Sequence, residues 1–478
     1  MPDAVVRGIR LDSRSIQPGD VFVALKGTRV DGHAHLQEAL ARGAVAAVVD
    51  FRRLSDLPRG PWLPVTDTAP ALARAAAAFH GYPARRLDLT GVTGTNGKTT
   101  VTHMLEAGWR AAGIPCGVLG TLGARHDAGG LVTQVDVGFT TPQANVLQEL
   151  LALMADAGVQ RVAMEVSSHA LDQHRVGEVA FRTGIFTNLS QDHLDYHGTM
   201  AAYADAKARL FDGLAPDGAA VVHGDDPAHA RMVRDTRARI ITFGLRPGAD
   251  VGAENVVMKA DGTSGTLVTP SGRYPLQLSL PGGFNLANAL AALAAEVGSG
   301  RRPDPLLAAL ARMPAVAGRL ERVTPVDHPF HVLVDYAHTP DGLVKVLEAV
   351  RHVTPGRVIV VFGCGGDRDR GKRPLMARAA AAGADIVIAT SDNPRSEDPA
   401  AILADMAPGL PSDAVIEPDR GQAIRSAIAA ARPGDSVVIA GKGHEPWQII
   451  GDRRIAFDDR EVARLAVRGL LTDEAGHP

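Results

Sequence analysis

Cysteine is nearly absent from this chain: its 478 residues include two, Cys116 and Cys364, set in different halves. That excludes a disulfide framework and suits a reducing compartment. Lysine is scarce as well. Of the 50 basic residues seven are Lys (26, 98, 207, 259, 345, 372 and 442) and 43 are Arg. A genome-level preference for Arg accounts for the scarcity, yet some chemistry needs an ammonium that a guanidinium cannot replace. Neither sign of charge dominates, with 53 acidic residues and a net charge of -3. The balance argues against a nucleic-acid or anionic-membrane surface. No apolar run approaches the ~18 residues of a membrane span. Residues 1–14 carry charges every few positions and lack the apolar core of a signal peptide. A soluble, cytoplasmic protein is expected, without tandem repeats or a long low-complexity tail.

What is present is core-forming material and a regular alternation. Hydrophobic residues make up 45% and charged residues 22%, and the length predicts about three domains at roughly 150 residues each. Short β-type runs alternate with Ala/Leu-rich helical stretches, an α/β grammar. The Pro/Gly-containing stretches 57–64 and 81–83 place a first boundary near residue 84. Residues 85–314 read as a parallel sheet, with strands near 87–92, 161–166 and 184–188 and a helix over 98–112. An antiparallel flank follows between 250 and 280, with turns at Asp261-Gly262 and Ser271-Gly272. A helix then begins after Gly282-Gly283. From 315 to 478, strands near 332–334, 358–361, 386–389 and 437–440 alternate with helices as a Rossmann-like unit.

The strongest local signal lies between a strand and a helix: Gly91-Val92-Thr93-Gly94-Thr95-Asn96-Gly97-Lys98-Thr99-Thr100. Glycines let backbone N–H groups close around phosphate oxygens, and a helix N-terminus favours anions. Lys98 is placed to reach the β/γ-phosphates and Thr99 to ligate Mg²⁺. The strict phosphate-loop spacing fails, because Val92 stands five residues before Gly97, so the loop is a variant. No Asn-Lys-x-Asp sequence is present, which argues against guanine recognition. Beyond the ends of the next strands come Met164-Glu165-Val166-Ser167-Ser168-His169 and Asn188-Leu189-Ser190-Gln191-Asp192-His193-Leu194-Asp195-Tyr196-His197. Ligands of α/β sheets sit beyond the carboxyl ends of strands, so Glu165 and His193 are expected to face the loop, Glu165 being the better ligand for a hard cation.

Together these segments resemble the Mur ligase family, the ATP-dependent amino-acid ligases of peptidoglycan synthesis. The likeness continues through Tyr203-Ala204-Asp205-Ala206-Lys207, Phe284-Asn285-Leu286-Ala287-Asn288-Ala289, Gly318-Arg319-Leu320-Glu321 and Asp335-Tyr336-Ala337-His338-Thr339-Pro340. It ends with Gly363-Cys364-Gly365-Gly366-Asp367-Arg368, Asp392-Asn393-Pro394-Arg395 and Gly441-Lys442-Gly443-His444-Glu445. The motifs stand in order over essentially the whole chain.

The resemblance implies three domains, 1–84 for a uridine-nucleotide substrate, 85–314 for ATP and 315–478 for an amino acid. It implies ATP-dependent addition of meso-diaminopimelate to the D-Glu of UDP-MurNAc-L-Ala-D-Glu through an acyl phosphate. L-Lysine or L-ornithine as the amino acid is the alternative, and a P-loop ATPase switch acting on a protein partner is the reading from another class. ATP would contact Gly94, Thr95, Asn96, Gly97, Lys98, Thr99, Thr100, Asn288, Arg319 and Asp335. Two Mg²⁺ ions would involve Thr99, Glu165, His193 and Lys207, the last carbamylated by CO₂, a reaction Arg cannot readily undergo; Lys98, Lys207, Glu165 and His193 form the catalytic set. Leu11, Ser13, Thr140, Thr141, Ser167, Gln173 and Arg175 would hold the nucleotide-peptide, aided by the segment 27–32. Thr141-Pro142 also reads as a helix N-cap followed by Pro at N1. Diaminopimelate would meet Arg368, Asp392, Asn393, Pro394, Arg395, Gly441 and Glu445, with an Arg fork for its extra carboxylate. The partners implied are these small molecules alone, with no nucleic acid and no membrane, bound by a monomer. Lys372 and Lys442 fall within motifs, but no chemical requirement for them is legible in the sequence.

Overall fold

The computed structural model describes residues 5–27, 30–128, 133–135, 138–259, 262–325 and 327–474. Thr28 and Arg29 of the expected uridine segment and Asp261 of the expected turn lie outside the described residues.

Among the described residues five sheets follow one another along the chain. The first is parallel and four-stranded, formed by Gly8–Arg10, Asp20–Val23, Ala46–Asp50 and Trp62–Val65 in that order. Its apolar faces pack on the helices Leu36–Ala41 and Thr68–Phe79.

The second sheet carries the phosphate loop. Its eight strands run in the order Arg239–Phe243, Ala219–His223, Thr183–Phe186, Asp88–Thr93, Arg161–Glu165, Cys116–Gly120, Gly123–His126 and Thr133–Val135. The first six are parallel and the last two antiparallel. Residues such as Val92, Val162, Ile185 and Val221 are wholly buried, as strands covered on both faces require. Lys98–Ala111 and Gly283–Gly298 cover one face, Ala144–Asp156 and Met200–Asp212 the other. Register matters most for the site. Val92 stands opposite Glu165 and Thr93 opposite Phe186, so three neighbouring strands end level with one another. The antiparallel flank is three-stranded, Gly252–Lys259, Gly262–Thr269 and Gly272–Leu278.

A six-stranded sheet follows in the order Glu321–Arg322, His331–Asp335, Ser436–Ala440, Val358–Phe362, Ile386–Ala389 and Val415–Ile416, parallel except for its first strand. A hairpin, Trp447–Ile450 with Arg453–Ala456, lies beyond it.

The expected strands and helices recur with ends shifted by one or two residues. The expected cap at Thr141 does not form. The helix begins at Ala144 after an N-cap at Gln143 that makes no side-chain cap bond. Thr141 turns away because its hydroxyl donates instead to the Glu165 carbonyl at 3.0 Å.

Candidate active site

The phosphate loop is tied down from behind. The Asn96 N–H donates to Asn188 Oδ1 at 3.0 Å, and the Asn188 amide and Thr187 hydroxyl donate to the Asn96 carbonyl. The Thr95 hydroxyl donates to the Ser190 carbonyl at 3.1 Å and accepts from the Ser190 N–H. Such close approach demands glycine at two positions with positive φ. A Cβ on Gly94 would lie 1.9 Å from Thr187 Oγ1, and one on Gly97 would lie 2.4 Å from Asn288 Oδ1.

Two ammonium groups converge on this loop. Lys98 Nζ donates to the Gly94 and Thr95 carbonyls at 2.8 and 2.9 Å, and Lys207 Nζ to the same Gly94 carbonyl at 2.9 Å. Lys207 is 1% exposed. Burial, reinforced by the Lys98 charge, holds its amine well below the usual lysine range. Burial also lowers Lys98. No carboxylate touches either ammonium among the described residues.

Glu165 is buried at the end of the adjoining strand. Its carboxylate accepts from the Thr121 N–H at 2.8 Å and the Thr121 hydroxyl at 3.1 Å. Thr99 Oγ1 accepts from Arg319 Nη2 at 2.9 Å. His193 sits in the left-handed region at φ 56, beside His169. The surrounding protein draws its imidazole down to about 3, against the pull of Asp192, so the ring is a neutral donor near pH 7. The Thr99 hydroxyl and Glu165 carboxylate offer the oxygen donors that suit Mg²⁺, a neutral imidazole being the weaker choice, and the buried Glu165 carboxylate has no counter-ion in contact among the described residues. Nor, among the described residues, do three His, Cys, Asp or Glu side chains converge tightly enough to hold a metal alone. A cation at this place would draw further oxygens from phosphates and water, as Mg²⁺ commonly does.

A cavity of about 600 Å³ opens beside the loop, lined by Asn96, Gly97, Thr100, Asn288, Arg319 and Asp335 among others. Arg319 lies over the Tyr336 ring at 4.5 Å, and its buried Nε finds no partner among the described residues. A donor left free there fits an incoming phosphate. Asp335 accepts from the Leu320 and Ala337 N–H groups at 2.6 and 2.7 Å, and burial raises its carboxyl.

A second cavity of about 830 Å³ shares Tyr336 with the first and is lined by no residue of the loop. It is lined by Thr140, His193, Arg368, Asp392, Asn393, Arg395, Gly441 and Glu445. Arg395, with φ 53, donates to the Gly366 carbonyl at 2.7 Å, and Arg368 to that of Asp367 at 3.0 Å. Pro394 does not line this cavity and backs onto Gly366.

Thr141, Ser167, Gln173 and Arg175 form a separate, connected cluster. The Ser167 N–H donates to Thr141 Oγ1 at 3.0 Å, Arg175 donates to the Thr141 carbonyl at 2.8 Å, and Arg175 also reaches Gln173 Oε1 at 2.7 Å. Thr140 joins Glu165 through the Thr121 hydroxyl. Leu11 and Ser13 are not brought to either cavity: Leu11 packs on the N-terminal core, and Ser13 donates to Glu38 Oε2 at 2.7 Å.

Three groups of contacts have no counterpart in the sequence. Buried Lys372 meets Asp192 at 3.3 Å, and His338 meets the same carboxylate at 3.7 Å. Asn96 reaches forward to Thr339 and Asp341 at 3.4 and 3.3 Å, at the start of the helix Pro340–Val353. Lys442 is buried among Asn393, Glu445 and Trp447. Each of these residues except Asp341, Lys372 and Trp447 stands in a motif spelled out above, but which atoms meet depends on partners up to 245 residues away.

A phosphate loop at the end of a parallel sheet, with a cavity beside it and two lysines turned onto its carbonyls, defines a nucleotide-dependent enzyme. The chain belongs to the Mur ligase family. The family's middle-domain model matches residues 92–296, its glutamate ligase domain 318–443, and a further model of the family, described as its catalytic domain, 5–80. Among curated relatives, the UDP-N-acetylmuramoyl-L-alanyl-D-glutamate--2,6-diaminopimelate ligase of Synechococcus elongatus is 49% identical, over 97% of this chain and 94% of its own. That of Gloeobacter violaceus is 47% identical over 98% and 95%. A solved structure of a ligase with the same name aligns with a TM-score of 0.67 and 35% identity, covering 98% of this chain and 95% of its own. The Thermotoga maritima MurF ligase in complex with ADP shares the fold, with a TM-score of 0.64 at 18% identity over 99% of each chain.

Proposed function

We propose that this chain is the ATP-dependent ligase that joins meso-diaminopimelate to the D-Glu of UDP-MurNAc-L-Ala-D-Glu, in peptidoglycan precursor synthesis. The observation that carries the reading is a cavity at the phosphate loop joined through Tyr336 to a second cavity lined by Arg368, Arg395 and Glu445, in a chain 47–49% identical to ligases of that name.

In this reading ATP occupies the smaller cavity, its phosphates over Gly94–Thr100, with Asn288, Arg319 and Asp335 around the rest of the nucleotide. Lys98, curled onto two carbonyls of its own loop, exchanges those acceptors for phosphate oxygens. Thr141, Ser167, Gln173, Arg175 and Thr140 hold the peptidyl end, and Leu11 and Ser13 the uridine end. The D-Glu γ-carboxylate attacks the γ-phosphorus, giving an acyl phosphate and ADP. The diaminopimelate amine then attacks the acyl carbon and phosphate leaves. Arg395 and Arg368 bind the distal carboxylate of diaminopimelate, and Glu445 its ammonium.

Mg²⁺, as two ions, would be held by Thr99, Glu165, His193 and Lys207, and neutralises phosphate charge when bound. Lys207 takes part as a carbamate: its neutral amine adds CO₂ with loss of a proton, replacing an ammonium by an anion. Its depressed basicity supports this reading, since only the free amine adds CO₂. The product would also face Lys98 with opposite charge. Domains bounded near residues 84 and 314, a monomeric state and a cytoplasmic location complete the proposal.

The test is phosphate release with UDP-MurNAc-L-Ala-D-Glu and each of diaminopimelate, lysine and ornithine. Release requiring both the dipeptide and diaminopimelate is expected. Hydrolysis indifferent to the dipeptide would falsify the ligase reading, and preference for lysine would move the amino acid.

A further inference from the structure

Lys442 is wholly buried, yet it reaches no phosphate-loop atom. An ammonium has three donors, and here each has one acceptor: Asn393 Oδ1 at 3.4 Å, Glu445 Oε2 at 3.4 Å, and the Trp447 carbonyl. These acceptors come from three segments, the 392–395 stretch, the 441–445 loop and the hairpin beginning at Trp447. The segments are further bound to one another. The Asn393 amide donates to Glu445 Oε2 at 2.7 Å, and the Ile449 N–H to Asn393 Oδ1 at 2.9 Å. The Arg395 N–H donates to the Ile449 carbonyl at 3.0 Å, and the Gln448 amide to that of Asp392 at 2.8 Å.

We propose that Lys442 is the positioning residue of the amino-acid subsite, holding the Glu445 carboxylate off the neighbouring guanidinium groups and aimed into the cavity. The inference rests on the assignment of this cavity to diaminopimelate. Arg395, Arg368 and Glu445 line the same space. The Glu445 side chain is 31% exposed and can swing. Released from Lys442, it would pair with Arg395 or Arg368, consuming both the anion meant for the substrate ammonium and the cation meant for its carboxylate. Held by Lys442, Asn393 and, at 3.4 Å, the Tyr336 hydroxyl, it stays apart from them. A buried ammonium thus keeps a binding pair of opposite charges from neutralising itself.

The experiment is steady-state kinetics of full-length K442M, K442R and E445Q and of the double variant K442M/E445Q. K442M is expected to raise KM for diaminopimelate about tenfold or more, with KM for ATP and for the nucleotide-peptide within about twofold. K442R, which keeps the charge and donors, should recover part of that loss. The double variant should be no worse than E445Q, because Lys442 acts through Glu445. Additive losses, or equal rises in all three KM values, would overturn the assignment. If K442M does not fold, K442Q replaces it with the same expectations, and failure of both to fold overturns the assignment too, making Lys442 a structural residue. If E445Q and R395A also leave KM for diaminopimelate unchanged, the assignment of the cavity has failed rather than the role of Lys442.

Discussion

The nucleotide side and the amino-acid side of this molecule each hold two inward-turned lysines, and they treat them in opposite ways. On the nucleotide side Lys98 and Lys207 share the Gly94 carbonyl and meet no carboxylate. On the other side Lys372 meets Asp192 and Lys442 meets Glu445. An ammonium removed from water without a counter-charge is costly and tends to shed its proton. A loop that keeps two such groups together is therefore poised to accept negative charge. Where the counter-charge is built in, the ammonium's work is to hold neighbouring parts in place. Burial alone does not separate a reactive lysine from a positioning one; its partner does.

Four measurements test that contrast, the most damaging change first. K207R should lower kcat by about 10³-fold, since a guanidinium can neither form a carbamate nor leave the neighbourhood of Lys98 uncharged. Added bicarbonate should not restore it. A variant retaining a tenth of the activity would remove the distinction on the nucleotide side. K372M should destabilise the protein by about 3 kcal/mol, because it strips the buried Asp192 of its ammonium partner. Urea denaturation monitored by circular dichroism reads this, and a change under about 0.5 kcal/mol would mean that His338 and His193 suffice for Asp192.

Acid is the third probe. Burial lowers His103 to about 4, and its Nδ1 lies 2.8 Å from the Thr99 carbonyl. An unfolded histidine takes a proton near 6.5. Between pH 6.5 and 4 the unfolded chain therefore binds more protons than the folded one, and stability falls as pH falls. From pH 6.5 to 5 His103 alone accounts for about 2 kcal/mol of loss. H103Q should flatten that part of the stability profile, and an unchanged profile would assign the slope to other groups. Last, R395A should raise KM for diaminopimelate about tenfold while leaving KM for ATP nearly unchanged. Equal rises would detach Arg395 from the amino acid.

How much of this was legible in advance follows the range of each interaction. The phosphate loop, the flanking strands and Glu165 were readable because glycine spacing, apolar runs and strand ends are local facts. The Asp392–Arg395 stretch and Glu445 were found through family resemblance, and all of them but Pro394 line one cavity. The hairpin Trp447–Ala456 was passed over although Gly451-Asp452 marks its turn. The strands Gly123–His126 and Thr133–Val135, which extend the central sheet antiparallel, went unread as well. Thr141 was misread as a cap because its hydroxyl partner, the Glu165 carbonyl, is 24 residues away. Lys372 carried no local sign of Asp192, 180 residues distant, and Lys442, although Glu445 stands three residues on, carried none of Asn393, 49 residues away.

The paucity of lysine has a practical consequence for chemical labelling. Lys26 and Lys259 are exposed, Lys345 is half-exposed in its pair with Asp341 and Lys98 is half-buried on its loop, whereas Lys207, Lys372 and Lys442 are buried. An amine-acylating reagent therefore meets few lysine side chains on a surface whose positive charge is otherwise arginine. The three buried ones would react only as the protein opens around them, and Lys98 only where no phosphate covers it. Their acylation, followed peptide by peptide in a mass spectrometer, turns each into a separate reporter of how tightly ATP and the amino acid close their own side of the molecule.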